Sequence, residues 1–186
     1  PDQDLIFMGT GNPAPWNSHL RPGDNLYSSS RLAIDPDTGK IVWHFQTTPH
    51  DGWDFDGVNE LIAFDYKDRG KTVKAAATAD RNGFFYVLDR ESGRFLSGSP
   101  FVDVNWASGL DDSGRPVLTP QPPGATTFPG VQGGTNWYSP SYSPSTGLFY
   151  VSAWEGYGSV FTEAEQEYTE GQSFIGGAPT GFAPVP

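Results

Sequence analysis

Three segments of the chain repeat one pattern: strand-forming residues, a polar turn closed by glycine, then strand-forming residues again. They are Leu32-Ala33-Ile34-Asp35-Pro36-Asp37-Thr38-Gly39-Lys40-Ile41-Val42-Trp43, then Tyr86-Val87-Leu88-Asp89-Arg90-Glu91-Ser92-Gly93-Arg94-Phe95-Leu96, and finally Pro140-Ser141-Tyr142-Ser143-Pro144-Ser145-Thr146-Gly147-Leu148-Phe149-Tyr150-Val151. Gly39, Gly93 and Gly147 follow one another at intervals of 54 residues. A glycine closing a tight turn supplies the positive φ that side chains resist, so each segment reads as a β-hairpin. Any β protein holds unrelated hairpins, but equal spacing with a shared Asp-x-x-[Thr/Ser]-Gly core (Ser143 replaces Asp in the third copy) favours a propeller. A period near this length is that of a four-stranded propeller blade, and at that period the chain holds about three and a half blades.

Composition agrees. The chain has 23 Gly and 17 Pro among 186 residues, which argues against long helices. Its 13 Phe, 8 Tyr and 6 Trp are enough for a core and too many for a disordered chain. With no cysteine, thiol catalysis, zinc-thiolate sites and intrachain disulfides are excluded. The net charge of −11, with no two basic residues adjacent, argues against a nucleic-acid partner. No apolar run is long enough for a membrane span. The stretches 102–134 and 155–186 read as long loops of one domain covering 1–186. The start at Pro1, without Met, and the Ala-Pro-Val-Pro end raise the expectation of a piece of a longer polypeptide.

The window richest in chemistry is Thr48-Pro49-His50-Asp51-Gly52-Trp53-Asp54-Phe55-Asp56-Gly57-Val58-Asn59-Glu60. If 53–56 is extended, Asp54 and Asp56 share one face and Trp53 and Phe55 the other. Two carboxylates on one face either repel in solvent, as a surface turn, or share a hard cation. Gly9-Thr10-Gly11-Asn12-Pro13-Ala14-Pro15-Trp16-Asn17 follows an apolar strand, and Asn12 offers a neutral amide oxygen; a plain strand exit explains it equally. Arg21-Pro22-Gly23-Asp24-Asn25 is a turn in which Asp24 is a further candidate acid. Asp80-Arg81-Asn82-Gly83 is a hairpin signature that leaves Arg81 as a fixed cation. His50 reads as a packed or hydrogen-bonding loop residue, and three histidines without close spacing make zinc improbable.

At these residues the sequence resembles the pyrroloquinoline-quinone (PQQ) alcohol dehydrogenases, the methanol/ethanol dehydrogenase family of eight-bladed quinoprotein propellers. The matching stretches are GTGNPAPWN, RPGDN, IDPDTGKIVW, TPHDGWDFDGVNE, ADRNGFFYVLDR and GGTNWYSPSYSPSTGLFYV, running from Gly9 to Val151. The stretch ending at Trp43 looks like the family's tryptophan docking motif, which ties neighbouring blades. The resemblance implies an all-β, partial eight-bladed propeller. It makes Asp54 the catalytic base and a metal ligand, Asn12 and Asp56 further metal ligands, and Arg81, Asn136 and Trp137 cofactor-binding residues. Asp56 stands where lanthanide-dependent members carry an extra aspartate, which favours a lanthanide ion over Ca2+.

The implied reaction oxidises a small primary alcohol to an aldehyde by hydride transfer to metal-bound PQQ. A cytochrome c-type acceptor and a periplasmic location are implied with it, and a homodimer is left open. The family's metal-binding glutamate, adjacent-cysteine pair and cofactor-stacking tryptophan have no counterpart in this sequence; in the family they lie earlier in the chain. A propeller of this make that binds proteins without a cofactor is the competing expectation.

Overall fold

The computed structural model describes residues 3–183, and the side chains of residues up to 179. Every pairing between its strands is antiparallel. A first sheet is the meander β1 (Ile6–Gly9), β2 (Ser30–Ile34) and β3 (Ile41–Gln46). The second is a four-stranded meander of β4 (Ile62–Asp68), β5 (Lys71–Ala79), β6 (Phe84–Asp89) and β7 (Phe95–Pro100). After it come the hairpin β8 (Ala107–Leu110) and β9 (Pro116–Leu118), then β10 (Thr126–Thr127). The hairpin β11 (Ser141–Ser143) and β12 (Leu148–Tyr150) precedes β13 (Gly158–Glu163) and β14 (Gly177–Ala183), which form a sheet with β10. Among the described residues the only helical turn is a 3₁₀ turn at Ser18–Leu20.

The three repeats are the three hairpin turns β2–β3, β6–β7 and β11–β12. Their glycines share one conformation, with φ of 68°, 71° and 71°. Each glycine amide donates to the carbonyl four residues back, at 2.8 Å in all three copies. Asp35 Oδ1 also accepts the amides of Asp37 and Thr38 at 2.8 and 3.3 Å, and Asp89 Oδ1 those of Glu91 and Ser92 at 3.0 and 3.1 Å. The side-chain cap is the reason aspartate opens the turn. In the third copy Ser143, a weaker turn cap than aspartate, places its hydroxyl against that of Ser145 instead, at 3.1 Å.

Two cores flank the second sheet. One joins it to the first sheet and to β8 through Trp43, Phe55, Phe84, Tyr86, Leu88 and Trp106. The other packs Ala75, Ala77 and Val87 against Phe64, Phe85 and Phe149, and so joins it to β11–β12. The run Ala75-Ala76-Ala77 is almost wholly buried.

Two expectations need correction. The stretches 102–134 and 155–186 are not simply loops: β8, β9 and β10 lie in the first, β13 and β14 in the second. Short runs of β-formers, such as Val160-Phe161-Thr162, pair there despite the Gly- and Pro-rich surroundings. Residues 53–56 are also not a strand, for a reason that belongs to the site.

Candidate active site

The segment joining β3 to β4 is organised by a buried carboxylate. Asp51 Oδ2 accepts from the Phe55 amide at 2.9 Å, the Asp56 amide at 3.2 Å and Ser29 Oγ at 2.9 Å. Its Oδ1 accepts the Trp53 amide at 2.8 Å. Wrapping the chain around one carboxylate requires left-handed backbone at Asp54 (φ 63°) and Asp56 (φ 56°). Each left-handed non-glycine residue costs about 1–2 kcal/mol. Hydrogen bonds to a charged acceptor return about 1.5–3 kcal/mol each. Four such bonds offset both the left-handed backbone and the burial of the carboxylate, which raises the Asp51 pKa, and they hold the loop in its bent conformation.

The side chains nonetheless alternate as expected. Phe55 is fully buried, and Trp53 and Phe55 stand 4.9 and 5.4 Å (ring centroids) from Trp106. Asp54 and Asp56 turn the other way, toward Arg81. The Arg81 guanidinium forms an ion pair with Asp56 Oδ2 through Nη1, donates from Nη2 to the Val131 carbonyl at 2.5 Å and stands 3.8 Å from Asp54 Oδ2.

The turn presenting Arg81 is fixed from behind. Asp80 Oδ1 accepts the Asn82 amide at 3.0 Å, and its Oδ2 pairs at 2.8 Å with Arg31 of the first sheet, both side chains being fully buried. Asn82 Nδ2 donates to the Thr47 carbonyl at 3.0 Å and to Thr48 Oγ1 at 3.2 Å, binding the Arg81 turn to the root of the Asp54 loop. The structural role expected of Asn82 and Gly83 is met.

Asn12 reaches the cluster by its backbone, whose amide donates to Asp56 Oδ1 at 2.7 Å. Two glycines permit the approach: a Cβ on Gly9 would stand 1.8 Å from the Gly57 carbonyl oxygen, and one on Gly57 2.6 Å from the Ser30 amide nitrogen. The 131–137 loop closes another side. The Gly134 amide donates to the Arg81 carbonyl at 2.9 Å, and Asn59 Nδ2 to the Asn136 carbonyl at 2.7 Å.

Arg81, Asp54, Asp56 and Asn12 are therefore brought together. Asn136 is buried nearby, but its side chain serves its own loop, bonding the Gln132 carbonyl and the Trp137 amide at 3.0 and 2.9 Å. Trp137 is 80% exposed and stands apart from the cluster. Asp24 is held at the surface by Arg115, at 2.7 and 2.8 Å, and His50 bonds the Gly23 carbonyl at 2.7 Å. Sequence reasoning missed Asp51, Ser29 and the Val131 carbonyl. The Asp51-Gly52 turn dipeptide was a usable signal for the first; the other two carried none.

The electrostatics show a shortage of positive charge. Burial, then repulsion from Asp56, pushes the Asp54 carboxyl up to about 6 against the pull of Arg81. The Asp54 carboxylate has no hydrogen-bond partner within reach, and the Asn12 side-chain amide has none either, among the described residues. Two buried polar atoms, Arg81 Nε and Asn59 Oδ1, are also without partners. An under-neutralised carboxylate fits a hard cation, and the unpaired buried donor and acceptor fit a polar ligand. No group of three or more His, Cys, Asp or Glu side chains able to hold a metal occurs among the described residues, so a cation beside Asp54 and Asp56 would need further ligands from outside this cluster.

A family model described as the β-propeller domain of glucose/ethanol/alcohol dehydrogenases, PQQ, matches residues 1–105. The quinoprotein alcohol dehydrogenase PedH of Pseudomonas putida is 58% identical over 188 aligned positions, covering 95% of this chain and 31% of that protein. PedE of the same organism is 43% identical over the same shares. Among solved structures, a europium-containing methanol dehydrogenase superposes with a TM-score of 0.89 at 40% identity, over 96% of this chain and 32% of that one. The quinohemoprotein alcohol dehydrogenase from Comamonas testosteroni gives 0.79 at 41% identity, over 86% and 25%. The chain thus spans about a third of the length of the curated relatives it matches. Blade-like hairpins, a cluster of Asp54, Asp56 and Arg81 and the family match over more than half the chain lead to one conclusion: this chain belongs to the PQQ-dependent quinoprotein alcohol dehydrogenases.

Proposed function

We propose that this chain carries the proton-accepting and cation-holding part of a quinoprotein that oxidises a small primary alcohol to its aldehyde. The observation that carries the reading is the meeting of Asp54, Asp56 and Arg81 in one half-buried cluster. Asp54 is the base: its carboxylate lacks a hydrogen-bond donor, and burial has raised its proton affinity, so it can take the alcohol hydroxyl proton. Arg81 presents a fixed guanidinium, held by Asp56 and the Val131 carbonyl, toward developing negative charge. Asn12, Asp54 and Asp56 would hold the cation, and Arg81 with the Asn136–Trp137 loop would border the quinone. A quinone held there would supply the hydride acceptor for the alcohol carbon, and a cation would supply Lewis-acid polarisation.

A lanthanide is favoured over calcium because Asp56 adds a second carboxylate beside Asp54, and a trivalent ion gains more from it. A solved relative at 40% identity is a europium-containing enzyme. A relative 47% identical is named 1-butanol dehydrogenase (cytochrome c), which supports a cytochrome c-type acceptor. A periplasmic location and a single propeller domain containing residues 1–186 complete the proposal. The test is the full-length protein reconstituted with PQQ and either calcium or lanthanum, assayed on methanol, ethanol and butanol. Asp54→Ala should abolish turnover with every alcohol; retained turnover would sink the reading.

A further inference from the structure

Asp51 touches neither Arg81 nor the open face of the cluster, yet it determines where both reactive carboxylates stand. It is 2% exposed and takes four hydrogen bonds, three of them from the backbone amides of residues 53, 55 and 56. Those amides bracket Asp54 and include Asp56's own. The two left-handed residues they enforce are Asp54 and Asp56 themselves. The surroundings of Asp51 are equally determined. Ser29, its hydroxyl donor, leads directly into β2, and the Asp51 carbonyl accepts from Arg21 Nη2 at 2.7 Å.

We propose that Asp51 is the positioning residue of the site: its carboxylate sets the separation and direction of Asp54 and Asp56, and thereby the cation site they form. The inference rests on the function proposed above for those two residues. A carboxylate suits the task because both of its oxygens accept and neither donates. An amide of the same shape would turn a donor toward converging N–H and O–H groups, and the loop would have to open. Residues that orient metal ligands without touching the metal commonly change metal affinity or activity by 10–100-fold when replaced.

The probe is Eu3+ alone, added to the full-length protein without quinone. Its luminescence lifetimes in H2O and D2O count the waters on the bound ion. Asp51→Asn should leave a cooperative fold but add at least one water to the ion and weaken Eu3+ binding by about tenfold or more. In the PQQ-loaded enzyme the same variant should lower kcat by about tenfold or more with a nearly unchanged KM for the alcohol. A wild-type lifetime with wild-type kcat overturns the proposal. If Asp51→Asn does not fold, Ser29→Ala decides: it removes one of the four bonds and should shift lifetime and kcat the same way by less, whereas unchanged values overturn the proposal. The europium lifetime judges Asp51 independently of turnover. An active Asp54→Ala enzyme therefore defeats the functional reading alone, and an inactive one beside a wild-type Asp51→Asn lifetime defeats the positioning role alone.

Discussion

The indole of Trp43, from the first sheet, lies on the turn glycine of the second. A Cβ on Gly93 would stand 2.6 Å from the Trp43 ring, and Trp43 Nε1 donates to the Arg90 carbonyl of the same turn at 3.2 Å. The docking expected of this tryptophan is thus realised against a glycine of the next repeat, at the position equivalent to Gly39. The glycine therefore serves twice, once for its positive φ and once for its missing side chain.

Gly93→Ala should consequently cost more than the same change at an equivalent turn. Gly39 has φ 68° and nothing within 4 Å of its notional Cβ, so Gly39→Ala bears only the backbone penalty of about 1–2 kcal/mol. Gly93→Ala adds a clash with the indole, worth about 1–3 kcal/mol more. Urea unfolding of the full-length variants should show this order, and equal midpoints would remove the docking role from Trp43.

The buried pair Arg31–Asp80 makes a prediction with a definite pH sign. Burial lowers the Arg31 guanidinium and raises the Asp80 carboxyl to about 6, with Arg31 opposing that rise. Arg31→Met leaves Asp80 buried and alone, and its proton affinity climbs further. A folded pKa above the unfolded value means that the native state holds a proton the unfolded chain has released. Stability of the variant then falls as pH rises from about 4 through the folded pKa. The loss should approach about 3–5 kcal/mol near pH 8 and be much smaller near pH 5. Thermal melts at the two pH values check it; a loss that grows toward acid contradicts it.

How much of this was legible in the sequence differs by level. The three glycine-closed turns were, because a positive φ is a local demand that each segment meets alone, helped in the first two by an aspartate cap. The side-chain alternation of Trp53, Asp54, Phe55 and Asp56 was legible as well, but its backbone was not. Alternating sides arise from a strand and equally from left-handed residues wound around a carboxylate, and only the partners of Asp51 separate the two. The acceptor at Val131 was beyond reach, since any residue supplies a carbonyl and only the fold brings that one to Arg81.

The Arg81 fork bonds Asp56 and the Val131 carbonyl at once and brings Nη2 to 3.8 Å from Asp54, a geometry that a lysine cannot copy. Arg81→Lys should keep an ion pair with Asp56 but lose the bond to the Val131 carbonyl and the approach to Asp54. The expected result is a fold close to wild type in stability and a kcat lower by about a hundredfold in the loaded full-length enzyme. Near-wild-type kcat would confine Arg81 to a structural role.

Asp56 is the residue on which the choice of ion turns. Its Oδ1 accepts the Asn12 amide at 2.7 Å and its Oδ2 faces Arg81, so it fixes the Asn12 backbone as well as contributing charge. Asp56→Asn keeps the shape and removes one negative charge. The attraction lost scales with the charge of the ion, three units for La3+ against two for Ca2+ at equal distance. The substitution also releases Arg81 Nη1, which can turn to Asp54, whose Oδ2 is already 3.8 Å from Nη2. That contact would compete with any cation for Asp54. Both effects weaken binding, and only the first distinguishes the ions. Competition titrations should therefore show Asp56→Asn losing affinity for both, with the La3+/Ca2+ preference reduced by about tenfold. An unchanged preference would mean that Asp56 acts through Arg81 and Asn12 alone, and that its carboxylate does not select the ion.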